Sequence, residues 1–358
     1  MSIKIEVPEG GDALSEFLLF HDRVYEYRSA RWPAALQLQL PILTGEGPYA
    51  AGRRVRPFAA RRDGAIVARV TAIVDQHYIS HWKEPLGHLV MFEAMPDTHE
   101  AVNALMDAAC KWLSDNSMIA ARAGFGLFEF PFVIDDYETL PPSVARQNPA
   151  YYHNLIKGAG FESEKGWVDY KIEVSPDLAK RYKSALEACR RAGFEILPLS
   201  KIDPARRVRD FTLTWNDAFK AHWGATPFTE DELAQLFQFF QLGGGLETSV
   251  LAYQHDSPVG ALLVLPESSE GALVASGRRL KDSERLNFLG IGVSESARGR
   301  GVNLAMASYA YLELINRGAR YLSYTLVLDD NWPSRRTAEK LGAFVCANYM
   351  VYRRNFRR

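Results

Sequence analysis

Cysteine is scarce in this chain: three residues in 358, Cys110, Cys189 and Cys346. Their odd number and wide spacing exclude a disulfide framework, and no CxxC pair is present. Long hydrophobic runs are missing too. The longest, "GALLVLP" (Gly260 to Pro266), is strand-sized and falls well short of the roughly 18 residues of a membrane span. The first residues, "MSIKIEVPEGGD", lack a signal peptide's apolar core. Charge of one sign is not in excess either, with 42 Lys and Arg against 43 Asp and Glu. That balance argues against a nucleic-acid or membrane-surface partner. No low-complexity segment occurs. The expectation is a cytoplasmic globular protein with no membrane contact.

What the chain does have is core-forming residues, 47 % of its length. The length fits about two domains. A similar ending appears twice. "NPAYYHNLIKGAGF" (Asn148 to Phe161) and "NWPSRRTAEKLGAF" (Asn331 to Phe344) align without gaps at Asn148/Asn331, Lys157/Lys340 and Phe161/Phe344. Each reads as a short helix with an Asn cap, Pro in the first turn and Gly at the stop. A strand-like segment follows each one, "WVDYKIEV" and "VCANYMVYRR". Earlier, Pro57 to Asp75 and Ser249 to Pro266 each read as a hairpin, with turns at Arg62-Asp63-Gly64 and His255-Asp256-Ser257-Pro258. The chain therefore reads as a duplication whose boundary falls near Ser175-Pro176, giving domains 1–175 and 176–358. Each half mixes helices and strands, an α+β fold.

The informative stretch is "GVSESARGRGVNLAM", Gly292 to Met306. "RLNFLGIGV" before it reads as a strand ending near Val293. From Val302 to Arg317 apolar residues recur at helical spacing. A loop, Ser294 to Gly301, thus joins a strand end to a helix start, where orphan amides attract anions. Gly299 and Gly301 let a phosphate approach the backbone, and Arg298 and Arg300 add charge. The dinucleotide fingerprint fails because Leu304 stands at its third glycine. The nucleotide P-loop fails because no Gly-Lys-Ser/Thr follows.

"VSESARGRGV" resembles the cofactor loop of the GNAT superfamily of acyl-CoA N-acyltransferases, V-x-P-x-x-[QR]-G-x-G-[ILV]-[GA]. "DDNWPSRRTAEKLGAF" resembles that superfamily's second signature, an Asn followed by a short helix ending E-K-x-G-F. The chain also resembles bacterial proteins with two such domains in tandem. The resemblance implies two GNAT-like domains, each a twisted mixed β-sheet flanked by helices. It implies an acyl-CoA cosubstrate, with acetyl-CoA the expected one, held by Ile291, Gly292, Val293, Arg298, Gly299, Arg300, Gly301, Val302, Asn303 and Asn331. The acceptor would be a small-molecule or peptide amine, with His222 and Trp223 of "HWG" in its pocket. Asp329 and Asp330 are candidate bases. Tyr324 is a candidate acid for the leaving thiolate, with Tyr349 and Tyr352 beside it.

This chain departs from the family pattern at four places. Glu295 replaces Pro, Asn303 replaces Gly or Ala, Ala338 stands where many members carry an acidic Tyr, and Ala343 replaces a Phe. The first half has no glycine loop, and its matching segment around Pro96-Asp97-Thr98 reads as a plain helix start that would repel a pyrophosphate. That half should carry the fold without the cofactor. The missing Tyr leaves a binding-only or regulatory protein as an alternative, and aminoacyl transfer from charged tRNA is another. His77, His81 and His88 in "HYISHWKEPLGH" read as a loop rather than a metal site. No G-x-S-x-G elbow is present. The basic tail "YRRNFRR" reads as a solvated terminal strand.

Overall fold

The final strand of each half is built into the other half's sheet. In the computed structural model, residues 2–143, 145–266, 271–281, 284 and 288–356 are described. The first half supplies β1 (Ile3–Glu6), α1 (Gly11–Val24), β2 (Ala30–Arg31), α2 (Leu36–Thr44), β3 (Arg53–Arg62), β4 (Ala65–Asp75), α3 (Gln76–Trp82), β5 (Leu86–Ala94), α4 (His99–Asp115), β6 (Ala120–Ala123), β7 (Phe132–Val133), α5 (Tyr152–Gly158) and β8 (Glu162–Glu173). The second supplies α6 (Pro176–Arg191), β9 (Phe194–Pro198), α7 (Pro204–Phe219), α8 (Glu230–Leu242), α9 (Gly245–Thr248), β10 (Val250–Gln254), β11 (Ser257–Leu265), β12 (Leu273–Val274), β13 (Phe288–Val293), α10 (Val302–Asn316), β14 (Tyr321–Leu328), α11 (Trp332–Lys340) and β15 (Phe344–Asn355).

Local chemistry sets many of these boundaries. The β3–β4 turn places Asp63 and Gly64 at φ 51° and 83°, as a tight hairpin requires. Ser175 caps α6 ahead of Pro176. Thr229 and Glu232 close a reciprocal capping box on α8.

One sheet runs β1-β3-β4-β5-β6-β15-β8-β14, with β7 also on β15. A second runs β13-β11-β10-β9. β15, the end of the second half, pairs with β6 of the first. β8, the end of the first half, pairs with β14 of the second. The two exchanged strands pair antiparallel with each other over most of their length. Neither half therefore closes its sheet alone.

Helices α1, α4 and α5 cover the first half's core. In the second half, α6 and α10 cover one face, and α7, α8 and α9 cover the other. No described helix is long and apolar enough to cross a membrane.

Three sequence expectations change. The tail strand is not a solvated terminus, because β15 lies between β6 and β8. Arg353 is paired with Glu84 and Glu164, and Arg354 with Asp107. Residues 357 and 358 of the tail, and 285–287 at the start of the expected strand, lie outside the described residues. "HYISH" is helical, since the Asp75 carboxylate accepts from the amides of His77 and Tyr78 and starts α3. Asn148 does not cap α5. Its side chain instead bonds both backbone groups of Val133, while Asn331 does cap α11 through the Ser334 amide.

Candidate active site

The glycine loop has the geometry its sequence implies. Gly299 and Gly301 adopt φ 75° and 80°, and a Cβ at either would meet nothing within 4 Å. Both positions favour glycine by conformation and leave open space above the backbone. Gly301 is the residue before α10, so the helix's free amides face that space. Arg298 folds back, its guanidinium 3.3 Å from the Val293 carbonyl oxygen and 3.5 Å from that of Ala218. Arg300 turns to the other side, bonding Gln254 at 3.0 Å and lying 4.5 Å from the Phe194 ring centre. Neither arginine projects over the loop. Asn303 reaches sideways to the Thr337 hydroxyl at 3.0 Å and so ties α10 to α11.

β13 pairs with β11 through Val293, Gly292 and Ile291, and β14 pairs with β8. β13 and β14 are thus the facing edges of two separate sheets, and no ladder joins them among the described residues. The strands still run close together, and their unladdered border beside the glycine loop is termed the slot. Gly290 and Gly292 admit α7 against β13, since a Cβ would come within 2.8 Å of Trp215 Cη2 and 2.6 Å of Phe219 Cε2.

The first half contrasts at the matching place. There β5 and β6 are paired in register, Leu86 to Ala120 through Leu89 to Ala123. A bulge sets Met91 at φ 56°, and Glu129 Oε2 accepts its amide at 2.8 Å. Arg146 bonds Glu129 and the Phe92 carbonyl. The chain's own ion pair fills the strand's polar groups. Burial raises the Glu129 pKa against the pull of Arg146, so the pair is held by mutual need. Glu129→Ala should lower the unfolding free energy by roughly 3 kcal/mol, because it leaves Arg146 less compensated in a buried place. Urea denaturation checks this, and an unchanged midpoint would remove the structural role.

A wall of the slot's mouth comes from both halves. His222 follows α7, its ring 5.3 Å from Phe219 and 5.7 Å from Trp167 of β8. Trp223 packs on Phe125 and lies 4.3 Å beneath Arg122. Gly224, at φ 75°, lets the turn pass Phe125, which a Cβ would approach to 2.7 Å. The first half clamps this turn, as Trp82 Nε1 donates to the Ala225 carbonyl at 2.8 Å.

The acid and base candidates separate. Asp329 and Asp330 lie exposed at the end of β14. Asp329 packs on Gly166, where a Cβ would stand 2.2 Å from its Oδ2. Asp330 pairs with Lys165, which lowers its pKa. Burial lowers the pKa of His222, with Asp330 opposing and Lys165 assisting. Tyr324 is buried and lies 3.0 Å from the Ser334 hydroxyl in the first turn of α11. Burial pushes its phenol up to about 12, so it keeps its proton. Tyr352 meets His153 in the first half, and Tyr349 lies near Asp169. Among the described residues no cluster of three or more metal-ligating side chains occurs.

The sequence reading missed Phe125, Lys165, Trp167 and Glu129. Alternation in "WVDYK" does put Trp167, Asp169 and Lys171 on one strand face. Nothing local says which half that face serves.

Residues 210–343 match the Acetyltransferase (GNAT) family. The chain is 24 % identical over 326 residues to "Bacterial ceramide synthase" of Caulobacter vibrioides, covering 85 % of each. It is 22 % identical over 327 residues to "Protein YghO" of Escherichia coli, covering 82 % of this chain and 80 % of that one. Among solved structures, a tandem GNAT protein from the clavulanic acid biosynthesis pathway superposes with TM-score 0.58 at 11 % identity, covering 99 % and 98 %. A GCN5-related N-acetyltransferase from Sphaerobacter thermophilus gives 0.55 at 15 % identity, covering 99 % and 96 %. A GCN5-related glucosamine N-acetyltransferase region of a fungal multidomain β-N-acetylglucosaminidase gives 0.62 at 15 % identity, and this chain spans 38 % of that longer protein. The fold is that of the GNAT acetyltransferases. Residues 210–343 match as a GNAT acetyltransferase domain, and the chain as a whole shares the fold of tandem GNAT proteins.

Proposed function

We propose that the second half, residues 176–358, transfers an acyl group from acyl-CoA to an amine, and that the first half, 1–175, binds no cofactor. The observation that carries this reading is the unladdered slot between β13 and β14 beside a loop with two open left-handed glycines. Amides from Arg298 to Asn303 and the start of α10 receive the pyrophosphate. Ile291, Gly292 and Val293 border the thioester, and Asn331 holds the start of α11 on the other side of the slot. His222, kept neutral by burial, takes the proton from the amine as its nitrogen bonds the thioester carbon. Asp330 then stabilises the imidazolium, and Asp329 fixes the strand end against Gly166. The C–S bond breaks, and the Tyr324–Ser334 hydroxyl pair supplies a donor to the leaving thiolate in place of the family's Tyr, absent at Ala338.

The Caulobacter relative is named for making ceramide, an N-acylated long-chain amine. We extend that substrate class to this chain. The aromatic wall of Phe125, Trp167 and Trp223 is apolar in keeping with it. Titration calorimetry with acetyl-CoA and longer acyl-CoAs should give one site per chain, and thiol release should follow on adding a long-chain amine. Binding with no thiol release over an amine panel would instead favour a binding-only protein, a reading that Ala338 keeps open. Failure of every CoA thioester to bind a folded sample would overturn both.

A further inference from the structure

A cavity of about 330 Å³ lies between the first half's loop 133–149 and the exchanged strands β8 and β15. That volume is at the small end of ligand pockets, which run from about 300 to 1,000 Å³. Val133, Tyr137, Ala347 and Tyr349 give it an apolar side. They belong to the same packed cluster as Trp167 and Trp223, so the cavity adjoins the aromatic wall of the slot. Asp169 of β8 lines it and is 1 % exposed.

Asp169 is poised for a ligand. Its Oδ1 is buried and has no hydrogen-bond partner. Burial raises its pKa to about 7, although the Leu326 and Tyr170 amides and the Thr325 and Tyr349 hydroxyls favour the charged form. An unpartnered buried carboxylate oxygen is costly to leave unanswered. The cavity's cations do not answer it. Arg28 donates to the carbonyls of Glu138 and Thr139. Arg146 is bonded to Glu129 and the Phe92 carbonyl, and the Lys171 ammonium sits 3.9 Å over the Tyr321 ring. Arg146 Nε is itself buried without a partner, a donor that a hydroxyl on the ligand would satisfy.

We propose that this cavity is a ligand site of its own, apart from the slot, and that it takes a primary ammonium whose charge pairs with Asp169 while its apolar body lies along Val133, Ala347 and Tyr349. The ammonium site stands on the cavity's own geometry. An ammonium restores the pairing that Oδ1 lacks, in a place dry enough for the contact to be strong. A carboxylate or phosphate would meet the like charge of Asp169, which the unpartnered Arg146 Nε–H does not offset.

The test uses the full chain and three probes of one length, n-octylamine, n-octanol and octanoate, followed by calorimetry at pH 7.5. Octylamine should bind at least tenfold more tightly than either other probe. Asp169→Asn should remove that preference while leaving octanol binding unchanged. Ala347→Phe, which fills the cavity from the opposite strand, should weaken both amine and alcohol. Acetyl-CoA binding, measured on the same samples, should be unchanged in both variants and reports whether the slot is intact. Equal binding of octylamine to wild type and Asp169→Asn would overturn the proposal, as would tighter binding of octanoate. Loss of CoA binding in wild type would instead overturn the acyltransferase reading and leave the amine result to stand alone.

Discussion

Gly301→Asp should leave the protein folded and raise the acetyl-CoA dissociation constant by about 100-fold, equivalent to roughly 2.7 kcal/mol. The position is the N-cap of α10 at φ 80°, with open space where a Cβ would project. Asp is among the residues helices accept best at that cap, and it tolerates left-handed backbone better than most. The fold therefore loses little. The ligand loses much, since a carboxylate would stand at the helix start, where the macrodipole otherwise favours an anion. Gly301→Ala separates the two effects, carrying the backbone strain without the charge, and its loss should be several-fold smaller. Arg298→Ala should weaken binding about tenfold, through a loosened loop, because its guanidinium ties the turn to Val293 and Ala218. Arg300→Ala should do little, because that side chain is held by Gln254 and Phe194 away from the loop. Calorimetry and a melting curve on each variant are sufficient. Wild-type affinity in a folded Gly301→Asp protein would make the stretch an ordinary turn.

This ordering of the loop's residues differs from what its composition suggests. In the sequence, two arginines and two glycines look alike in importance. In the structure the glycines leave open space at the helix start, and the arginines brace the turn. The loop's geometry was legible because it is local. A strand end, two residues needing positive φ and a helical repeat all fall within about twenty residues of one another. The hairpins, α6, α7, α8, α10 and the short helix α11 were legible for the same reason.

The strand exchange was not legible. β8 and β15 carry similar alternating patterns, and an alternating strand fits any sheet edge with an apolar face. Only long-range pairing decides that β15 joins β6 and β8 joins β14. The matched asparagines make the same point at single-residue scale. Asn148 and Asn331 occupy equivalent positions, yet one binds a strand and the other caps a helix. The slot's mouth depends on this exchange. Trp167 and Lys165 are first-half residues by sequence, and β8 delivers them beside His222 and Asp330 of the second half. The half whose strand amide is occupied by Glu129 thus also contributes Phe125 and Trp167 to the aromatic wall.

His222→Gln should lower kcat for amide formation by about 10² to 10⁴, the span for removing a general base, with CoA affinity unchanged. The imidazole is the one base candidate at this mouth that burial keeps neutral, while Asp330 is exposed and paired with Lys165. Its folded pKa lies below the ordinary 6.5, so wild-type turnover should stay on its plateau through pH 7 and fall off only in more acid solution. Asp330→Asn removes a charge that raises the His222 pKa and should move that acid limb to lower pH. Lys165→Met removes one that lowers it and should move the limb up. The same shift has a stability sign. Below pH 6.5 the unfolded chain binds this proton more readily than the folded one, so the histidine's contribution is present above that pH and lost as pH falls. His222→Gln should accordingly melt closer to wild type, or above it, in acid than at pH 8. A merely structural histidine would move the melting curve and leave the ratio of turnover to binding alone. If the variant turns over within threefold of wild type across the pH range, the proton leaves by another route, and Asp329, at the end of β14, is the next residue to replace.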